Sequence, residues 1–190
     1  MTRWFYNFVI LLLIKIDRMK NEKFWFAVFT NPRAEKKVAE RLELDGYEVY
    51  LPLVTTIRQW SDRKKKVKLP LINSYVFVHT TKKELRGTLN TAGVVCLLTY
   101  LRKPAIIRDH EINNMKILLK QEVDENGLQT MKSEDLAKGE LVEILQGPFK
   151  GLMAEYVQHQ GRYDVALRLE ALGSVILIHV DQEYIRKISA

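Results

Sequence analysis

The apolar positions of this chain change period several times, and each change predicts an element. Phe24 to Thr30 is aromatic and β-branched, which predicts a strand that Asn31-Pro32 ends. Pro32 suits a helix start, and residues 33–45 then show helical period. Ala34, Val38 and Leu42 form an apolar stripe, while Arg33, Lys37 and Arg41, with Lys36 beside them, form a basic one. Gly46 stands where a helix stop belongs. Tyr47 to Val54 predicts a strand, and Arg58 to Lys68 a protruding basic hairpin or loop with Trp60 and Val67 flanking the turn-forming Ser61-Asp62. Leu69 to Val78 predicts a turn and strand bent at Asn73-Ser74. Residues 81–91 read as helical, Val94 to Tyr100 as a strand, Arg102-Lys103-Pro104 as a turn and 109–121 as a helix with Asp109 as N-cap.

Helices and antiparallel strands thus intermix over residues 23–121, which predicts an α+β layered unit. Residues 122–138 are acidic and lack periodicity, as a linker does. From Gly139 the pattern becomes short strands: Leu141–Leu145, Met153–Gln158, Tyr163–Leu169 and Ser174–Val180, separated by turn signals at Gly147-Pro148, Gly161 and Gly173. Residues 139–190 are therefore expected to form a small closed β-barrel, since an open sheet of this size would be marginal.

Charge sharpens this division. Residues 1–120 carry 23 Lys and Arg against 11 Asp and Glu, a formal +12, and residues 121–190 carry 7 against 12, a formal −5. The first unit is thus suited to a polyanion, although solubility charge alone can look similar. With 47% apolar residues the 190-residue chain can bury a core. One cysteine, Cys96, excludes a disulfide scaffold and a multi-thiolate metal site, and fits a reducing, cytoplasmic setting. Its apolar strand predicts an inert core thiol.

Residues 1–22 stand apart. Phe8 to Ile14 is apolar but far shorter than the ~20 residues a membrane span needs. No small-residue cleavage site follows, and Met19 opens a polar stretch just before the first strand. Translation from Met19, a peripheral membrane helix and a secretion signal are the readings open here, in that order, and none supplies a stable membrane anchor.

Catalytic patterns are missing. His79, His110, His159 and His179 are dispersed, no His-Glu-x-x-His or Gly-x-Ser-x-Gly occurs, and Gly147-Pro148-Phe149-Lys150-Gly151 lacks the Gly-Lys-Ser/Thr end of a phosphate loop. The sequence favours a binding protein without metal or cofactor.

Three segments together resemble the NusG family of transcription elongation factors. They are Trp25 to Thr30 with the helix Pro32-Arg-Ala-Glu-Lys-Lys-Val-Ala-Glu-Arg-Leu, the stretch Pro70-Leu-Ile-Asn-Ser-Tyr-Val-Phe-Val78, and Lys138-Gly139 to Gly147-Pro148-Phe149-Lys150-Gly151. The last is similar to a KOW motif, whose turn is Gly147, Pro148, Phe149 and Gly151. Asn73-Ser74 replaces the family's Pro-Gly. The basic stretch and helix look most like the UpxY-type paralogues of capsular polysaccharide operons.

The resemblance implies a NusG-type N-terminal domain followed by an SH3-like KOW barrel. It implies a non-enzymatic factor that bridges the cleft of RNA polymerase and suppresses pausing and termination. The clamp helices of the largest subunit would meet an apolar depression of Ile72, Tyr75 and Phe77 with Phe29 and Leu97, and the opposite pincer would meet Arg86 and Thr88. Arg33, Lys36, Lys37 and Arg41 would lie along DNA of the transcription bubble or nascent RNA. Arg63, Lys64, Lys65, Lys66 and Lys68 would do so as well, with Trp60 stacking on a base. The barrel would meet a ribosomal protein, Rho or neither. The competing expectation is a ribosome-linked KOW protein that binds RNA.

Overall fold

The computed structural model describes residues 21–59, 64–120, 128–133, 136–159 and 162–188. Its N-terminal unit opens with β1 (Lys23–Thr30), α1 (Glu35–Leu44), β2 (Glu48–Tyr50) and the hairpin strands β3 (Leu53–Gln59) and β4 (Lys64–Pro70). Next come β5 (Tyr75–Thr81), a 3-10 turn at Leu85–Asn90, β6 (Val94–Leu97), the short strands β7 (Thr99–Tyr100), β8 (Lys103–Pro104) and β9 (Ile106–Ile107), and α2 (Asp109–Leu119). β1 lies inside an antiparallel sheet of order β2-β5-β1-β6, with β9 also paired to β1.

Alternation along β1 decides the two layers. Val28 faces α1 and joins Val38, Ala39, Leu42, Val76 and Val78 in one buried cluster. Trp25 and Ala27 face the other way and join Phe77 with Ile112, Met115 and Leu118 of α2. Lys116 of α2 places its ammonium 5.4 Å from the ring centres of both Trp25 and Tyr50. Burial pushes the Tyr50 phenol up from its ordinary value, and its buried hydroxyl has no hydrogen-bond partner.

The C-terminal unit is a six-stranded antiparallel sheet of order β10-β14-β13-β12-β11-β15. Its strands are β10 (Leu128–Lys132), β11 (Glu140–Ile144), β12 (Met153–His159), β13 (Arg162–Leu169), β14 (Ser174–Ile178) and β15 (Ile185–Lys187). The expected linker over 122–138 is therefore corrected. Leu128–Lys132 pairs with Ser174–Ile178, and Leu136 is buried against the sheet, while residues 121–127 lie outside the described part. The predicted turn at Gly147 to Gly151 forms: both glycines have positive φ, Gly151 N donates to Ile144 O at 2.8 Å, and Phe149 is buried.

The two units share one core. The cluster that begins at Trp25 and Phe77 continues through α2 to Ile144, Leu152, Val165, Leu167 and Ile176 without a break. Polar contacts follow the same seam. Asn114 Nδ2 donates to Met153 O at 2.8 Å, and Glu111 accepts from the backbone N–H groups of Arg108 (2.8 Å) and Glu170 (3.1 Å). The expected N-cap Asp109 is thus one residue late, because Arg108 occupies the cap and Glu111 reaches back to it. Among the described residues no helix is long and apolar enough to cross a membrane.

Ser74 holds a left-handed backbone, φ 62°, with its N–H bonded to Glu35 Oε1 and its carbonyl to Thr30 N. A side chain is costly there, so Ser74→Gly should raise stability by about 1 kcal/mol in urea unfolding. An unchanged or lower midpoint would show that the serine side chain compensates for its backbone.

Candidate functional site

Two surfaces meet at one end of the N-terminal sheet. The first is apolar. β1 pairs Phe29 with Tyr75 of β5 on one side and with Cys96 of β6 on the other. Directly opposed residues share a face, so Cys96, Phe29 and Tyr75 form one row across three strands. The Phe29 and Tyr75 rings meet edge to face at 5.3 Å, both half-buried. Burial and then the neighbouring Cys96 sulfur push the Tyr75 phenol up. Cys96 is exposed, which corrects the expectation of a core thiol: β6 is an edge strand, so one of its neighbours is solvent.

The other residues expected in this depression are placed differently. Phe77 is fully buried beside Tyr50, with ring centres 6.2 Å apart, and Ile72 is also in the core. Leu97 opposes Val28 rather than Phe29, so it belongs to the opposite face and packs with the α1 cluster. Arg86 is exposed, but Thr88 is fully buried and its hydroxyl donates to Leu85 O at 2.7 Å within its own turn.

The second surface is basic. The predicted hairpin forms, with Thr55 opposite Lys68, Thr56 opposite Val67 and Arg58 opposite Lys65. Lys65, Lys66 and Lys68 are exposed. Trp60 and Arg63 lie outside the described residues, and Lys64 is described in its backbone alone. Lys36 Nζ donates to Lys68 O at 2.7 Å, tying the first turn of α1 to the hairpin and making the two basic segments one surface. Arg33, exposed, sits just before α1 with a left-handed φ of 64°, and Lys37 is exposed on the helix. Arg41 is turned aside, its Nη1 donating to Ala92 O at 2.5 Å.

Glu35 joins the two surfaces. It is buried in the same helical turn as Lys36 and hydrogen-bonds Ser74, the residue before Tyr75. Sequence patterns reveal neither this link nor the Cys96 row, because both depend on which strands become neighbours.

A protein-family model described as NusG, transcription termination factor, matches residues 23–116. The match takes in the sheet, α1, the basic hairpin and most of α2. Over residues 23–116 the chain is similar to the NusG family. Curated relatives agree over a wider span. The transcription termination/antitermination protein NusG of Rickettsia felis is 26% identical over 177 residues, covering 86% of this chain and 90% of its own length. The corresponding protein of Rickettsia conorii is 24% identical over the same coverage. A solved structure described as domain interaction in Thermotoga maritima NusG is 21% identical. It covers 88% of this chain and 98% of that one, with a TM-score of 0.46. NusG-family proteins are transcription factors, not enzymes.

Proposed function

We propose that this protein binds RNA polymerase during elongation and suppresses pausing and termination without making or breaking a bond. The observation that carries the reading is the joint at α1. An apolar row able to meet a protein and a basic surface able to meet a polyanion are fixed side by side by Glu35 and Lys36. A factor bridging polymerase and its nucleic acid needs both at once. Preferential binding to the elongating state is then sufficient to shift the enzyme's population away from pausing.

In this reading Phe29, Tyr75 and Cys96 meet the clamp helices, with Ile72 and Phe77 supporting them from beneath. Arg33, Lys36, Lys37, Lys65, Lys66 and Lys68 follow DNA of the bubble or nascent RNA. The C-terminal unit serves as a KOW domain, with Gly147 to Gly151 as its motif turn. The basic hairpin supports a specialised, UpxY-type factor for long operons such as those of capsular polysaccharide, acting in the cytoplasm.

Neutralising Lys64, Lys65, Lys66 and Lys68 to Gln tests the basic half. Each phosphate that the variant no longer neutralises should flatten the dependence of log affinity on log salt by roughly 0.7 for a single strand or 0.9 for duplex. The measurement is affinity for a bubble-containing polymerase complex across a salt series, wild type beside variant. Affinity for polymerase without nucleic acid should stay unchanged. Parallel salt lines would remove the hairpin from the nucleic-acid interface.

A further inference from the structure

A second candidate surface lies where the β7–β8 hairpin approaches the C-terminal sheet. A cleft of about 600 Å³ opens there, lined by Tyr100, Leu101, Ile106, Arg108, Glu170 and Ala171 among others. Tyr100 is 71% exposed and Leu101 78%, although both are large apolar-bodied residues. Such residues grouped beside a cleft mark an interaction site more often than scattered ones do.

The hairpin backbone adds an independent observation. Thr99 pairs with Pro104 and Tyr100 with Lys103, leaving a two-residue turn of Leu101 and Arg102. Their φ values are 49° and 63°, both left-handed. A turn with positive φ at both central residues normally uses Asn-Gly. Here two ordinary residues hold that conformation and present Leu101 outward.

Charge indicates the class of ligand. Exposed Arg102, Lys103, Arg108 and Lys138 surround or adjoin the cleft. Of the two carboxylates, Glu170 is shared between Arg108 (3.2 Å) and Lys138 (3.8 Å), and buried Glu111 is occupied by two backbone N–H groups. The cleft thus combines an apolar floor with a cationic rim.

We propose that this cleft docks an acidic segment of a protein partner, with a bulky apolar side chain seated against Tyr100 and Leu101. The site is built from both units of the chain, so its ligand binds the arrangement in which they are packed together.

The test uses the full chain and three fluorescein-labelled dodecapeptides. The first is Glu/Asp-rich with a central Leu-Phe, the second has the acids replaced by Lys, and the third keeps the acids but replaces Leu-Phe by Ser-Ser. The first should bind at least tenfold more tightly than either of the others. Tyr100→Ser with Leu101→Ser should weaken its binding at least tenfold, while the Gln-substituted β3–β4 hairpin should change it less than twofold. Leu101→Gly separates fold from binding, because it relieves the turn and should raise thermal stability while still weakening the peptide severalfold. The proposal is overturned by equal binding of all three peptides, by no binding at millimolar concentration, or by loss in the β3–β4 hairpin variant with retention in the Tyr100/Leu101 variant.

Discussion

Arg168→Ala should destabilise the protein by about 3–5 kcal/mol at neutral pH, the range for removing one partner of a buried ion pair. The Arg168 side chain is 7% exposed. Its Nε and Nη2 donate to the two oxygens of Glu155 at 2.9 and 3.0 Å, and its remaining N–H groups reach the carbonyls of Ser133, Leu136 and Ala137 at 3.1–3.4 Å. One guanidinium therefore pins the segment after β10 onto the outer face of the C-terminal sheet. Burial pushes the Glu155 carboxyl up. Hydrogen bonds from Arg168 and from the Gly139 N–H outweigh burial and hold it below the usual carboxylate range. A depressed folded-state pKa stabilises the fold above the unfolded-state value, and that stability is lost as pH falls through the folded-state value. The gap between wild type and Arg168→Ala should accordingly narrow in acid. Urea unfolding from pH 7 down to pH 3 measures it. Arg168→Met with Glu155→Leu should cost less than Arg168→Ala, since no buried charge is left alone. A constant gap across pH would show that the backbone carbonyls, rather than Glu155, are the guanidinium's main partners.

Phe77→Ala and Tyr75→Ala should fail for different reasons. Phe77 is fully buried, and truncating a buried Phe costs about 3–5 kcal/mol of stability. Tyr75 is half-buried at the edge of the same face. Its truncation should leave the fold intact and weaken polymerase binding by roughly 2 kcal/mol or more if it is a binding anchor. Affinity for purified RNA polymerase, beside a urea curve for each variant, separates the two. Wild-type affinity in a folded Tyr75→Ala protein would remove the Cys96–Phe29–Tyr75 row from the interface.

Much of the N-terminal unit is legible in the sequence because its strongest elements carry one clear period. β1 and β5 are aromatic and β-branched, and α1 has an uninterrupted stripe at Val38 and Leu42. The basic hairpin is legible from a turn signal between two strand-like arms. The candidate site is legible by composition but less so by face. Leu97 and Phe77 look alike in sequence, yet pairing parity places Leu97 on the α1 side of the sheet and Phe77 on the α2 side. Thr88 and Cys96 differ from expectation because burial depends on neighbours distant in the chain. β10 escapes a sequence reading because Leu128-Gln-Thr-Met-Lys132 carries a weak strand pattern in acidic surroundings, and pairing with β14 supplies what local preference does not.

The apolar cluster shared by the two sheets has a consequence for how the molecule comes apart. Were each sheet wrapped around its own private interior, heat or denaturant could dissolve one and spare the other, and the chain would melt in two steps. Here, pulling the sheets apart bares the outer side of α2, Ile144 and their neighbours to water, so loss of either half withdraws support from the other. The protein should therefore melt in a single calorimetric transition, although its strand pattern divides it into two units.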